Sequence, residues 1–114
     1  MKLIIAGFTD YNKLDKALNE LIESSQNYLF TILCGGTGLM YDEAGSRIKS
    51  IGEIWAEKNG APAQFLYCED PERLLIKTAQ TADYILYDGT TDNQWAKRLL
   101  MMMRALEKHG TIVK

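Results

Sequence analysis

The 114 residues suit one domain with a single core over 1–114, and 46% hydrophobic with 25% charged side chains is ordinary globular composition. This excludes a disordered chain, a collagen-like chain and a disulfide scaffold. Thirteen basic against fifteen acidic residues give a net charge of −2, so no electrostatic excess marks a nucleic-acid or anionic-membrane binder, and apolar runs such as 99–103 fall far short of a membrane span.

In chain order, short apolar runs alternate with amphipathic segments. Leu3-Ile4-Ile5-Ala6, ended by Gly7, reads as a strand buried on both faces, and is too short for a signal peptide. Asn12 is expected to cap a helix to about residue 25, with Leu14, Ala17, Leu18, Leu21 and Ile22 at helical spacing. The run 28–34 is a second strand. Gly35-Gly36-Thr37-Gly38 reads as a sharp turn before a long helix over 41–59, with a stripe of Ala44, Ile48, Ile51 and Trp55 and the small residues Gly45, Gly52 and Ala56. Gly60 and Pro62 stop that helix.

A third strand is expected over 64–68, then a helix capped by Asp70 with Pro71 at its first position, running to about residue 80. A fourth strand over 83–87 leads into the turn-rich Asp88-Gly89-Thr90-Thr91-Asp92. The last helix is expected over 93–108, with Trp95, Leu99, Met102 and Leu106 as its core face and His109 at its end. Gly110 stops it, and 111–113 forms a fifth strand. The order βαβαβαβαβ predicts an α/β, Rossmann-like three-layer αβα sandwich around a five-stranded parallel sheet.

In such a sheet, ligands bind beyond the carboxyl ends of the strands, near the point where strand order reverses. The candidate residues are Gly7, Asp10, Gly35, Gly36, Thr37, Gly38, Asp88, Gly89, Thr90 and Thr91. A glycine turn opening a helix allows close backbone approach and offers free N–H groups to an anion, most often phosphate. Several other sites are excluded. No lysine stands at P-loop spacing, and no G-x-G-x-x-G follows the first strand. The position six after Cys34, where a cysteine-dependent phosphatase needs arginine, is Met40, and Cys34 and Cys68 read as reduced thiols. One histidine and two distant cysteines give no zinc set, and no metal or other cofactor is expected. The carboxylates available for acid–base or nucleophilic work are Asp42, Glu43, Asp88 and Asp92.

The glycine segments carry a resemblance. Cys34-Gly35-Gly36-Thr37-Gly38-Leu39-Met40 is similar to the glycine-rich segment of LOG-type nucleotide phosphoribohydrolases. Ala6-Gly7-Phe8-Thr9-Asp10-Tyr11, Gly52-Glu53-Ile54-Trp55-Ala56, Gly60-Ala61-Pro62, Ala82-Asp83-Tyr84-Ile85 and Asp88-Gly89-Thr90 follow the order found in the YspA-like, cpYpsA-related branch. Over nearly its whole length the chain thus resembles the SLOG superfamily of small Rossmann-like domains that bind nucleotides or their derivatives. The resemblance implies a cytoplasmic domain binding a nucleotide-like small molecule, either a mononucleotide or one of the ADP-ribose and NAD type. Two departures limit it. The Gly-Gly turn lacks the usual Ala-Arg-Gly-Ala-Asp continuation, leaving Arg47 or Lys49 to substitute. The Pro-Gly-Gly-x-Gly-Thr-x-x-Glu motif is absent, its place taken by residues 88–92, so phosphoribohydrolase activity does not carry over. The alternatives are a nucleotide N-glycosidase or deoxyribosyltransferase using a loop carboxylate, and a non-catalytic interaction protein such as a homodimer.

Overall fold

The structure, a computed structural model, describes residues 1–25, 30–36 and 50–114. Its elements are β1 (Lys2–Ala6), α1 (Tyr11–Ser25), β2 (Thr31–Gly36), α2 (Ile51–Asn59), β3 (Ala63–Tyr67), α3 (Pro71–Thr81), β4 (Tyr84–Asp88), α4 (Gln94–Ala105) and β5 (His109–Val113). All neighbouring strands pair in parallel, in the order β3-β2-β1-β4-β5. The expected α/β sandwich is therefore present.

Because side chains alternate across a strand, each strand feeds two cores. Leu3, Ile32, Cys34 and Leu86 pack with Leu14, Ala17 and Leu18 of α1 and Trp55 and Ala56 of α2. Ile4, Ala6, Leu33, Ile85 and Tyr87 pack with Leu74, Leu75 and Ala79 of α3 and Ala96, Leu99 and Met103 of α4. Helices thus cover both faces, α1 and α2 on one, α3 and α4 on the other. One side-chain tie joins each helix pair: the Trp55 indole N–H donates to Asp15 Oδ1 at 2.9 Å, and Arg98 binds both Glu72 oxygens at 2.7 Å. Gly52 brings α2 close to the sheet, since a Cβ there would stand 3.2 Å from Ile5 Cδ1.

Several boundaries differ from the sequence reading. Asp10, not Asn12, caps α1: its Oδ1 accepts from the amides of Asn12 and Lys13 at 2.9 and 3.4 Å. Gly35 and Gly36 belong to β2, paired with Leu66 and Tyr67, because a ladder needs only backbone groups from them. α2 begins at Ile51 after an extended Ser50 (φ −69°, ψ 159°) whose hydroxyl accepts from Glu53 N, so no continuous helix spans 41–59. The rest of that expected helix, including Ala44, Gly45, Arg47, Ile48 and Lys49, lies outside the described residues.

The last helix also ends earlier than its glycine suggested. Glu107 takes the left-handed conformation (φ 60°), and the amides of Glu107 and Lys108 bond to the carbonyls of Arg104 and Met103 at 3.0 and 2.9 Å. This is a Schellman stop with glutamate in the place that favours glycine. His109 and Gly110 then open β5, paired with Tyr84 and Ile85, and the buried face of α4 is Ala96, Leu99 and Met103, with Leu106 exposed. Glu107→Gly is expected to raise unfolding free energy by about 1 kcal/mol, read by urea denaturation, because the left-handed strain of an L side chain disappears. An unchanged or lower midpoint would show that Glu107 is not strained.

Among the described residues, no helix is long and apolar enough to cross a membrane.

Candidate functional site

The strand order places the reversal point between β1 and β4. The chain runs outward from β1 through β2 to β3, then crosses back to β4 and on to β5. The segments leaving β1 and β4 therefore lead to opposite faces, into α1 and α4, and the carboxyl ends of these two strands part there.

Gly7 follows β1 with φ 82°, and a Cβ on it would stand 2.7 Å from Thr91 Oγ1 and 3.3 Å from the Asp88 carbonyl. Glycine is required here on two counts, conformation and space. The two loops are thus in van der Waals contact across the reversal point. On the β4 side the loop is folded by Asp88: its Oδ1 accepts from Thr90 N at 3.0 Å and Thr90 Oγ1 at 2.6 Å, and its carbonyl accepts from Thr91 Oγ1 at 3.0 Å. Asp and Thr in this spacing make such turns because their short side chains reach the neighbouring backbone.

A residue that the sequence reading did not single out completes the cluster. Lys13, in the first turn of α1, places its ammonium 2.8 Å from Asp88 Oδ1 and 2.9 Å from Thr90 Oγ1. The signal was present in principle. A lysine in the first turn faces the positive end of the helix dipole, which disfavours it unless an anion lies nearby. Here that anion is the buried carboxylate of Asp88, only 3% exposed, against a side chain of Lys13 that is 27% exposed. Burial pushes the Asp88 carboxyl up, but hydrogen bonds from Lys13 and Thr90 outweigh it, and the group titrates below the ordinary carboxylate range. It is an anion at neutral pH.

The remaining candidates stand outside this cluster. Asp10 is engaged in capping α1, where its Oδ1 takes the amides of Asn12 and Lys13. The Gly89 amide donates to the Val113 carbonyl at 2.8 Å, and its missing side chain makes room for Ile112. Asp92 pairs with Lys97 at 2.7 Å on the exposed surface and does not join the cluster. Gly35 and Gly36 end β2, the neighbour of β1 at the same carboxyl edge. Thr37, Gly38, Asp42 and Glu43 lie outside the described residues.

The cluster thus consists of Gly7, Lys13, Asp88, Thr90 and Thr91. Hydrogen bonds to Asp88 and Thr90 occupy two of the three Lys13 N–H groups, and all hydrogen bonds to the Asp88 carboxylate fall on Oδ1. Among the described residues, this leaves one Lys13 donor and the Asp88 Oδ2 acceptor without a hydrogen bond. Among the described residues, no three His, Cys, Asp or Glu side chains are grouped to hold a metal ion. No family model matches the chain, and no curated protein matches it.

Proposed function

We propose that the chain binds a nucleotide or nucleotide-derived phosphate at the carboxyl ends of β1, β2 and β4. The observation that carries this reading is the Lys13–Asp88 pair at the reversal point of the sheet. Its chemistry suits a ligand with both hydroxyls and negative charge. Asp88 Oδ2 is an acceptor for a ribose hydroxyl, and the third Lys13 N–H is a donor for a phosphate oxygen. The exposed Thr90 stands beside both. The Gly35-Gly36 end of β2 and the resemblance to SLOG domains support the same ligand class.

The test is a thermal-shift series of the intact chain with AMP, ADP, ADP-ribose, NAD, ribose 5-phosphate and inorganic phosphate. A ligand present at 100 times its Kd adds about 2.7 kcal/mol, a midpoint rise of roughly 10 °C for a domain of this size. At least one nucleotide is expected to produce a clear rise, larger than that of inorganic phosphate, and Asp88→Asn to reduce it. If none of the compounds moves the midpoint, the reading fails.

A second reading, an N-glycosidase or deoxyribosyltransferase, is favoured by one observation: Asp88 is a buried carboxylate that stays ionised, as a nucleophile must be. Release of free base from a nucleotide panel, abolished in Asp88→Asn, is its expected result. Binding without base release leaves the first reading standing alone.

A further inference from the structure

β5 is an outer strand of the sheet, paired with β4 on one side only. The Gly89 amide donates to the Val113 carbonyl, so Val113 turns its backbone groups toward β4, and by strand alternation Thr111 and His109 do the same. The N–H and C=O groups of Gly110 and Ile112 therefore point away from the sheet. Among the described residues no hydrogen bond reaches them.

Sheets guard such an edge with a charge on the strand, a proline, a bulge or a covering element. His109-Gly110-Thr111-Ile112-Val113 holds no Asp, Glu, Lys, Arg or Pro, and it pairs with β4 residue for residue without a bulge. Lys108 precedes the strand, but its ammonium donates to the carbonyls of Ala79, Gln80 and Ala82 at 2.6, 2.7 and 2.6 Å, turned to the end of α3 and not out along the edge. Lys114 follows it. On the face covered by α3 and α4, β5 presents Gly110 and Ile112, the register partners of Ile85 and Tyr87. Gly110 has no room for a side chain, since a Cβ would stand 2.8 Å from the Ile85 carbonyl oxygen, whereas Ile112 is 38% exposed.

We propose that two copies of the chain pair β5 against β5, antiparallel about a twofold axis at Thr111, and so join their two five-stranded sheets into one. The register follows from the outward groups. Gly110 and Ile112 of one copy stand opposite Ile112 and Gly110 of the other and exchange both of their N–H···O bonds, so the outward groups of both residues are satisfied. The same register lays each exposed Ile112 side chain beside the bare backbone of the opposite Gly110, large against small, on both sides of the axis. A shift by two residues would set like against like and leave one outward position of each copy beyond the other's strand. A second copy supplies both halves of this match by symmetry, which selects it over an extended peptide of other sequence. The inference is independent of the nucleotide reading, since this edge shares no residue with the Lys13–Asp88 cluster.

The experiment is sedimentation of the intact chain across a concentration series, with amide hydrogen exchange followed by NMR at both ends of it. One strand pair is a small interface, so a Kd of about 100 µM or tighter is expected, with the mass approaching twice 12.9 kDa. At a chain concentration of about 1 mM, that Kd leaves about one-fifth of the chains monomeric, so exchange at Gly110 and Ile112 should slow about fivefold. Thr111 and Val113, already bonded to β4, should change less. Ile112→Pro removes an outward donor that β4 does not use, and Ile112→Lys places a charge on the same exposed position; each is expected to return the chain to monomer, with the unfolding midpoint reporting an intact fold. A chain that stays monomeric at about 1 mM would overturn the proposal. So would a dimer that leaves Gly110 and Ile112 unprotected, one protected at β3 instead, or one undiminished in whichever of the two variants folds.

Discussion

Gly7→Ala is expected to lower unfolding free energy by about 2–3 kcal/mol. The backbone at this position has φ 82°, where an L side chain costs about 1–2 kcal/mol. The new methyl would also stand 2.7 Å from Thr91 Oγ1, so that hydroxyl must turn away and give up its hydrogen bond to the Asp88 carbonyl, worth about 1 kcal/mol. Thermal unfolding should show a fall of roughly 10 °C. Because Thr91 and Asp88 share the loop that faces β1, the variant should also weaken the proposed nucleotide binding by more than its stability loss alone explains. A midpoint within 1 °C of the parent would show that the two loops are not in contact.

Asp88→Ala is expected to cost about 2–4 kcal/mol at neutral pH. It strips Lys13 of its only ion-pair partner among the described residues and removes the acceptor for the Thr90 amide and hydroxyl. The figure is kept below that of a fully buried pair because the Lys13 side chain is 27% exposed and water partly replaces the carboxylate. The charge component has a distinct pH signature, read from Asp88→Asn. The folded-state carboxyl titrates below its unfolded value, so its contribution is complete above the ordinary aspartate value of about 3.9 and disappears as pH falls through the folded-state value. Urea denaturation of the parent and Asp88→Asn should therefore give a constant gap between pH 5 and 8, narrowing below about pH 4. A gap that widens with acid would mean that burial, not Lys13 and Thr90, dominates at this carboxyl.

Much of the architecture can be read from local chemistry. Leu3-Ile4-Ile5-Ala6 and Tyr84-Ile85-Leu86-Tyr87 are continuous apolar runs because both faces of a central parallel strand are covered, and both are strands. Asp70-Pro71 opens α3 and Gly60, at φ 66°, closes α2, because capping geometry depends on a few neighbouring residues. Boundaries failed where a residue has two uses. Gly110 reads as a helix stop, but its lack of a side chain serves close pairing with Ile85, and Glu107 ends the helix instead. Gly35-Gly36 reads as a turn and is the end of a strand.

By itself, then, the amino-acid sequence determined the alternation of strands and helices, and with it a parallel sheet covered on both faces, since hydrophobic period and caps are properties of adjacent residues. It also marked Gly7 and Asp88 as residues at strand ends. Only the tertiary structure decided that β1 and β4 are neighbours and that the sheet reverses between them. Only there does Lys13 meet Asp88, 75 positions further along the chain. Such a pairing depends on strand order, which is set by how whole elements cover one another and leaves no mark on the local pattern.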